Sequence, residues 1–498
     1  MKVSKPQVGA PPAPAAKRPA PKSTLAVAPT PASTGWAAKT PVARPARPAS
    51  LGGLIERRAL PFTPSGGDSS GSVSGDAGSM SGEDRSGGPQ ASAPPAANFT
   101  AAAFDARLDA ETASRTVPGN KVTMLFDGVN SFAERNTLID GAKESICLQT
   151  FIFNSDETGM ELATRLAAKA KAGVKVRVIY DASGSSRADP KMWEMMKKAG
   201  VELKPYGEKW DVLDLNDRWH EKHLIVDGKA SIEGGMNIAN EYALGGSGKL
   251  VFSRGDGKTG SEAWRDVDLK TEGPAVADAM KVFAHNWDQL GGAKLTQADR
   301  ATLFPALSAV KDGSSVRVVE SNPKVEGLNG ATNRLYRDAI ENAQQSITIE
   351  NAYFLPPSDI RTALAAAARR GVQVNVLTNG RESSDMGFVS DAARYFYDDL
   401  IKAGVNIREK IGGTLHAKTA TFDGQYSIVG SVNLNGRSTN QDTEVALGVE
   451  DPQVAAQIEA RFQTGVAQSK PVTMDELNHE SFITNLEQWA LSRMAWTF

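Results

Sequence analysis

The stretch TLHAKTATFDGQYSIVGSVNLNGRS, residues Thr414–Ser438, decides how the rest of this chain is interpreted. It contains an H-x-K-x4-D spacing made by His416, Lys418 and Asp423, and small and amide residues follow, namely Gly430, Ser431, Asn433 and Asn435. Alternating apolar residues from Leu415 to Phe422 predict a strand. Because residues two apart on a strand share a face, His416 and Lys418 are predicted to lie side by side. A nucleophile or acid beside a cation suits a phosphate ester.

An upstream stretch repeats this motif. It is RWHEKHLIVDGKASIEGGMNIANEY, residues Arg218–Tyr242, and it carries His220, Lys222 and Asp227, followed by Gly234, Gly235, Asn237 and Asn240. Two copies in one chain, each followed by glycine and asparagine, indicate a duplicated functional unit rather than a chance match.

Composition excludes several classes of protein. A length of 498 residues allows two or three domains, and a formal charge of −2 provides no overall field that would attract nucleic acid. The single cysteine, Cys147, rules out a disulfide framework.

The sequence also bears on localisation. No apolar run approaches the roughly 18 to 20 residues of a membrane span, and the N-terminus lacks the apolar core of a secretory signal. We therefore expect a cytoplasmic protein, or one peripheral at the membrane. Export by a signal-less route stays open.

Residues 1–98 are rich in Pro, Ala, Ser and Gly and predict a disordered tail. Its first half is basic, since all the lysines and arginines up to Arg47 precede the first acidic residue, Glu56. Such a tail can tether the protein weakly to anionic lipid, or it can be a solubilising linker.

From about Phe99 the pattern becomes globular and is duplicated. The first half predicts strands at Ser145–Phe153 and Val174–Tyr180 and helices at Gly159–Ala172 and Lys191–Lys198. The second half repeats this order with strands at Ser346–Phe354 and Val372–Leu377 and helices at Ile360–Arg370 and Ala392–Ala403. A glycine after each helix predicts its C-terminal end: Gly173, Gly200, Gly371 and Gly404.

The predicted fold class is α/β, with two similar domains of mostly parallel sheets flanked by helices and related by a pseudo-twofold axis. We expect the first domain at residues 99–310 and the second at residues 311–498, after the tail of residues 1–98.

Each half also carries a carboxylate at the start of a later strand. Matching WRDVDLKTEGPAV to TEVALGVEDPQV places Asp266 opposite Glu444. We predict that these two carboxylates orient the two imidazoles, as a carboxylate does in a catalytic triad.

A paired site predicts phosphoryl transfer through a covalent intermediate. One histidine attacks phosphorus and the other protonates the leaving alcohol, then takes a proton from water or an acceptor alcohol. Lys222, Lys418, Asn237 and Asn433 are predicted to bind the phosphoryl oxygens. Asp227 and Asp423 belong to the catalytic motifs, although closing the hairpin turns at Asp-Gly suits them at least as well. The mechanism needs no metal or cofactor.

These motifs resemble those of the phospholipase D superfamily, in particular its cardiolipin synthase-like branch. The resemblance covers about residues 118–498 and rests on RWHEKHLIVDG, GGMNIANEY, LHAKTATFDG and GSVNLNGRS. It implies a two-domain fold, a phosphohistidine intermediate and no metal. It also implies that His220 is the nucleophile and His416 the acid, a choice that the residues themselves leave open.

The chain departs from the synthase pattern in three places. A predicted disordered tail stands where synthases usually have membrane-spanning helices, Ala352 replaces a proline before Tyr353-Phe354, and Asn240 stands where an acidic residue or glycine is common. These differences leave the product open.

Three functions therefore remain to be compared. The first is an enzyme on membrane phospholipids, either a phosphatidyltransferase making cardiolipin or a hydrolase, with docking helped by Trp193, Trp210, Trp219 and the C-terminal WALSRMAWTF. The second is a nuclease-type phosphodiesterase, for which the globular part lacks a concentrated basic run. The third is a non-catalytic scaffold, against which two intact motifs argue.

Overall fold

The computed structural model describes Phe99 and residues 102–207, 217–243, 252–253, 259–260, 264–323 and 330–493. The disorder predicted for residues 1–98 lies outside these described residues.

The elements follow the predicted duplication. The first half contains α1 (Ala102–Thr112), β1 (Thr116–Phe126), α2 (Asp127–Gly141), β2 (Ser145–Thr150), α3 (Glu157–Lys171), β3 (Lys175–Asp181), α4 (Pro190–Lys198), β4 (Glu202–Tyr206), β5 (His223–Val226), β6 (Ala230–Gly234), α5 (Asn240–Ala243), β7 (Phe252–Ser253), β8 (Thr259–Gly260), β9 (Val267–Glu272), α6 (Val276–Gln289) and α7 (Gln297–Leu303). The second half contains β10 (Ser314–Ser321), α8 (Ala331–Asn342), β11 (Ser346–Asn351), α9 (Ser358–Arg369), β12 (Gln373–Asn379), α10 (Gly387–Lys402), β13 (Asn406–Lys410), β14 (Lys418–Phe422), β15 (Tyr426–Gly430), α11 (Gly436–Asn440), β16 (Glu444–Glu450), α12 (Pro452–Val466), β17 (Ser469–Pro471), α13 (Met474–Asn478) and α14 (Phe482–Ser492).

The structure confirms the helix ends that were predicted from four glycines. The backbone φ angles are +92° at Gly173, +97° at Gly200, +96° at Gly371 and +103° at Gly404, which is the left-handed region that glycine enters without steric cost. The repeated helix–glycine–strand pattern therefore has a local physical cause in both halves.

The strand predicted from Leu415 begins later than expected. β14 starts at Lys418, so His416 lies in the segment just before the strand rather than on it. β2 and β11 likewise end at Thr150 and Asn351, short of the aromatic residues that the sequence pattern had included. The chain leaves the sheet at these points to form the site.

In the described part of the chain, fifteen strands form one sheet in the order β17-β13-β12-β11-β14-β15-β16-β10-β1-β9-β6-β5-β2-β3-β4. The two halves join where β1 pairs antiparallel with β10. The α/β class is confirmed, but the sheet is mixed rather than mostly parallel. Among the strands of the described residues, β2-β3-β4 and β11-β12-β13 pair in parallel and the other neighbours in the sheet pair antiparallel. Hairpins such as β5-β6 and β14-β15 supply antiparallel neighbours.

Helices cover both faces of this sheet. On one face, α6 and α12 contribute Phe283, Trp287 and Phe462 to a hydrophobic core that the two halves share. On the opposite face, α3 and α4 cover the first half and α8, α9 and α10 cover the second. Cys147 is fully buried in the shared core, where burial raises its pKa to about 12 and keeps the thiol protonated and unreactive.

Helix α1 packs on the half to which it was not assigned. The predicted boundary places it in the first domain, but Phe104 lies in the core of the second half with its ring centroid 5.5 Å from that of Tyr426. Phe99 stacks on the same Tyr426 ring, with 5.4 Å between ring centroids. The N-terminal end of the described chain thus ties the first half to the second.

No helix among the described residues is both long and apolar enough to cross a bilayer.

We predict that Phe104→Ala lowers the free energy of unfolding by about 3 to 5 kcal/mol, because it leaves a cavity against Tyr426. Denaturant titration measures this change, with Ala106→Ser on the exposed side of α1 as the control. A loss no larger than that of the control would contradict the packing of α1 on the second half.

Candidate active site

Each histidine motif is held by backbone contacts with the opposite half. His220 donates its backbone N–H to the carbonyl of Thr443 at 3.1 Å, and His416 donates to the carbonyl of Arg265 at 2.7 Å. Isolated parallel bridges join Trp219 to Thr443 and Arg265 to Leu415. The two halves therefore exchange equivalent segments around a local pseudo-twofold arrangement.

The carboxylates that contact the imidazoles are exchanged in the same way. His220 Nδ1 lies 2.9 Å from Glu444 Oε1, and His416 Nδ1 lies 2.7 Å from Asp266 Oδ2. Each carboxylate thus belongs to the half opposite its histidine, which the sequence did not indicate. A carboxylate at Nδ1 places the ring proton there and leaves the lone pair on Nε2. Ser431 donates a hydrogen bond to the other oxygen of Glu444.

Both histidines line a single cavity of about 360 Å³. Asn237 and Asn433 line it with them. The cavity lies just beyond the carboxyl ends of β2 and β11, where ligands bind in α/β sheets. Its remaining lining residues are Phe151, Ile152, Arg218, Tyr242, Tyr353, Asp385, Met386, Val389, Asn435, Arg437, Ser438 and Asp442.

The two lysines lie beneath this cavity rather than in its lining. Lys222 Nζ donates to the backbone carbonyl of His220 at 2.5 Å, and Lys418 donates to that of His416. Lys418 Nζ also lies 2.9 Å from Nδ1 and 3.1 Å from Nε2 of the His416 ring. Lys222 and Lys418 are 1% and 0% exposed, so each ammonium is buried against its own histidine.

Burial shifts the pKa values of this cluster in opposite directions. Desolvation lowers the pKa of Lys222 to about 7 and that of Lys418 to about 8. Desolvation raises the pKa of Asp266 to about 6 and that of Glu444 to about 7. The pKa values of both histidines lie well below the ordinary value, because burial and then the neighbouring lysines oppose a positive charge.

Asp227 and Asp423 are not brought to the cavity, which corrects their inclusion among the catalytic residues. Asp227 accepts the backbone N–H groups of residues 143–145, and Asp423 accepts those of residues 344–346, at 2.8 to 3.2 Å. Their φ angles of +51° and +53° place them in tight turns that close the β5-β6 and β14-β15 hairpins. The alternative structural role considered from the sequence is the one that the geometry supports.

Sequence reasoning missed two arginines of the cavity lining, Arg218 and Arg437. Arg437 Nε donates to Asp442 Oδ2 at 2.9 Å, and burial raises the pKa of Asp442 to about 7. Arg437 follows the second motif at the position that Glu241 holds after the first, so comparing the two copies gave no signal for it.

His223 lies outside the cavity lining and belongs to a buried charged cluster. Its Nε2 lies 3.2 Å from Glu221 Oε2 and its Nδ1 3.5 Å from Glu233 Oε1. Burial opposes its positive charge, yet the two glutamates raise its pKa to about 9. In the described part of the chain, no group of three or more His, Cys, Asp or Glu side chains could hold a metal ion.

Comparisons with known proteins agree with this arrangement. The family model described as cardiolipin synthase, PLD-like domain, matches residues 136–244 and 336–465. The major cardiolipin synthase ClsA of Bacillus subtilis is 31% identical over 368 residues, which cover 72% of this chain and 71% of that protein. The probable cardiolipin synthase YwiE of the same organism is 30% identical over 358 residues, 71% of this chain and 67% of that protein.

A cardiolipin synthase of Halalkalibacterium halodurans is 32% identical over 325 residues, 65% of this chain and 61% of that protein. The chain thus spans 61% to 71% of the length of these relatives. The crystal structure of phosphatidylserine synthase from Haemophilus influenzae aligns with a TM-score of 0.60 at 16% identity, over 78% of this chain and 97% of that one. This structural likeness concerns the fold.

The duplicated sheet and the paired H-x-K motifs define a two-lobed protein of the phospholipase D superfamily. Within it, the chain belongs to the PLD-like family of the cardiolipin synthases.

We predict that Asp423→Ala lowers the free energy of unfolding by about 1 to 3 kcal/mol, because backbone N–H groups at the start of β11 lose their acceptor. Asp423→Asn keeps one acceptor oxygen and tolerates the positive φ, so its loss is smaller. Denaturant titration of both variants tests this order. Equal stability of wild type and Asp423→Ala would contradict the structural role.

Proposed function

We propose that this protein is a phosphatidyltransferase or phosphodiesterase that acts on membrane phospholipids through a phosphohistidine intermediate. The observation that supports it best is that His220 and His416 line one cavity, each with a carboxylate at Nδ1. The similarity to cardiolipin synthases supports phosphatidylglycerol as the substrate. The enzyme is peripheral and meets an anionic membrane.

The first step forms the covalent intermediate. Nε2 of His220 attacks the phosphorus of phosphatidylglycerol, the bond from phosphorus to the glycerol oxygen breaks, and His416 gives a proton to that oxygen. A phosphodiester anion in the cavity adds a negative charge beside the rings, which raises the imidazole pKa and lets His416 carry the proton. Glycerol then leaves.

The second step reverses these roles. His416 takes the proton of an acceptor hydroxyl, the acceptor oxygen bonds to phosphorus, and the bond to His220 breaks. A second phosphatidylglycerol as acceptor gives cardiolipin, and water gives phosphatidic acid. The choice of His220 as nucleophile rests on the family resemblance.

Charge stabilisation comes from two layers of residues. Asn237, Asn433, Arg218 and Arg437 line the cavity and donate to the phosphoryl oxygens. Lys222 and Lys418 lie beneath and contribute their field at short range in a dry environment. Asp266 and Glu444 keep the two rings in one tautomer and stabilise each imidazolium as it forms.

We predict that His220→Ala and His416→Ala each reduce turnover of phosphatidylglycerol vesicles by at least about 10³-fold, because each removes a group that bonds to phosphorus or moves the proton. Product formation is measured by mass spectrometry, and Phe104→Ala serves as a control for lost stability. A chelator leaves wild-type turnover unchanged.

The same preparation is incubated with single-stranded DNA. DNA cleavage without lipid turnover would replace the proposed function with a nuclease, and loss of neither activity in the histidine variants would exclude this site.

We also predict a narrow pH optimum near about 7 for kcat/KM. As pH falls through about 7 and 6, Glu444 and Asp266 take up protons and stop accepting from the imidazoles. As pH rises through about 7 and 8, Lys222 and Lys418 lose their charge. Glu444→Gln lowers kcat/KM by roughly 10²- to 10⁴-fold and moves the acidic limb to lower pH. A flat profile, or an unchanged limb in Glu444→Gln, would contradict this account.

A further inference from the structure

Helix α14 turns an apolar face to solvent. Ile483, Leu486 and Trp489 are 76%, 51% and 41% exposed. They are spaced three residues apart, so their side chains form one stripe along the helix. A surface helix of a soluble protein usually presents polar residues on this side.

The opposite side of α14 packs on the protein. Gln488 is 3% exposed and donates to Glu480 Oε2 at 2.9 Å, and Leu491 packs against the core of the second half. One face of α14 therefore packs on the protein, and its apolar outer face is exposed and available to bind another surface.

This apolar surface lies beside the active-site cavity, because α14 packs against α10, whose first turns border the cavity. Met386 lines the cavity and is also 37% exposed, and Phe388 in the first turn of α10 is 39% exposed. Arg381, just before this segment, has Nη1 3.9 Å from Oε1 of Glu487 on α14. We call Met386, Phe388, Ile483, Leu486 and Trp489 the rim surface.

We propose that the rim surface docks on the surface of an anionic phospholipid bilayer and presents the cavity to lipid headgroups. The proposal rests on the proposed function and identifies the part of the molecule through which it operates. Exposed apolar side chains grouped on one part of a surface mark an interaction site. Tryptophan and a neighbouring cation favour the headgroup region, and the Arg493 guanidinium lies 5.2 Å from the Trp489 ring centroid.

The position of Met386 favours a bilayer over a second copy of the chain. A phosphatidyl substrate keeps its acyl chains in the membrane while its phosphorus reaches His220 and His416. The opening marked by Met386 must therefore face lipid. A protein partner on the rim surface would close that opening.

The surface differs from most of the aromatics that the sequence suggested for docking. Trp219 is 2% exposed, and Trp193 packs on Tyr180 with 4.0 Å between ring centroids. Trp210 lies outside the described residues. Of the suggested C-terminal stretch, Trp489 is on the rim surface.

The test compares the full-length wild type with the triple variant Ile483→Ser/Leu486→Glu/Trp489→Glu, none of whose positions lines the cavity. Val129→Glu, at a position 52% exposed, is the control for replacing an exposed apolar residue by a negative charge elsewhere on the surface. Each protein is sedimented with vesicles of phosphatidylcholine and phosphatidylglycerol. Turnover is measured on these vesicles and on dihexanoyl phosphatidylglycerol below its micelle concentration.

We expect the triple variant to lose at least about tenfold in vesicle binding and in vesicle turnover, while its turnover of the soluble substrate stays within about twofold of wild type. Val129→Glu behaves as wild type in all assays. Unchanged vesicle binding by the triple variant would overturn the proposal. The proposal would also be overturned if the wild type were a dimer and the triple variant a monomer while both bound vesicles equally.

The two proposals fail in different ways. If the wild type turned over neither substrate but bound vesicles through the rim surface, the proposed function alone would be wrong. If the wild type turned over the soluble substrate but bound no vesicles, the proposal about the docking surface alone would be wrong.

Discussion

The exchange of carboxylates between the two halves is the contact on which the site depends. Glu444 reaches His220 at 2.9 Å and Asp266 reaches His416 at 2.7 Å, so each of these two histidines contacts a carboxylate that the opposite half supplies. The backbone bonds from His220 to Thr443 and from His416 to Arg265 fix the register of this exchange. Because the same residues join the halves and orient the rings, a shift of one half against the other would disrupt both pairs at once.

The exchange also explains why four ionisable groups can stay buried together. Isolated burial of a carboxylate or an ammonium is costly, but two carboxylates and two lysines placed around two imidazoles offset one another. The result is a set of pKa values near neutrality for Lys222, Lys418, Asp266 and Glu444. A cluster of this kind can move a proton without a large change in solvation, which acid–base catalysis near neutral pH requires.

Local features could be predicted from the sequence, whereas contacts between residues far apart in the sequence could not. Helix ends at Gly173 and Gly371 follow from glycine's access to positive φ, and the paired cavity follows from the duplicated H-x-K motif. The partner of each carboxylate did not follow, because Asp266 and His416 are far apart in sequence and their contact depends on how β9 and β16 are placed in one sheet. The position of α1 was missed for the same reason. The parallel content was overestimated because strand order is a tertiary property that periodicity does not encode.

The two halves place residues at equivalent positions around the cavity, but the side chains at those positions differ. Ile152 and Tyr353 occupy equivalent positions after β2 and β11, and Tyr242 and Ser438 occupy equivalent positions after the two asparagines, yet all four line the cavity with different groups. The ring of His416 lies among Tyr242, Trp264 and Tyr353, with ring centroids 5.1, 5.3 and 6.4 Å away. The ring of His220 has Phe151 at 5.1 Å and Arg437 among the charges that act on it. Two imidazoles with the same backbone setting therefore have different surroundings, which suits the proposed reaction, in which one ring bonds to phosphorus and the other carries a proton.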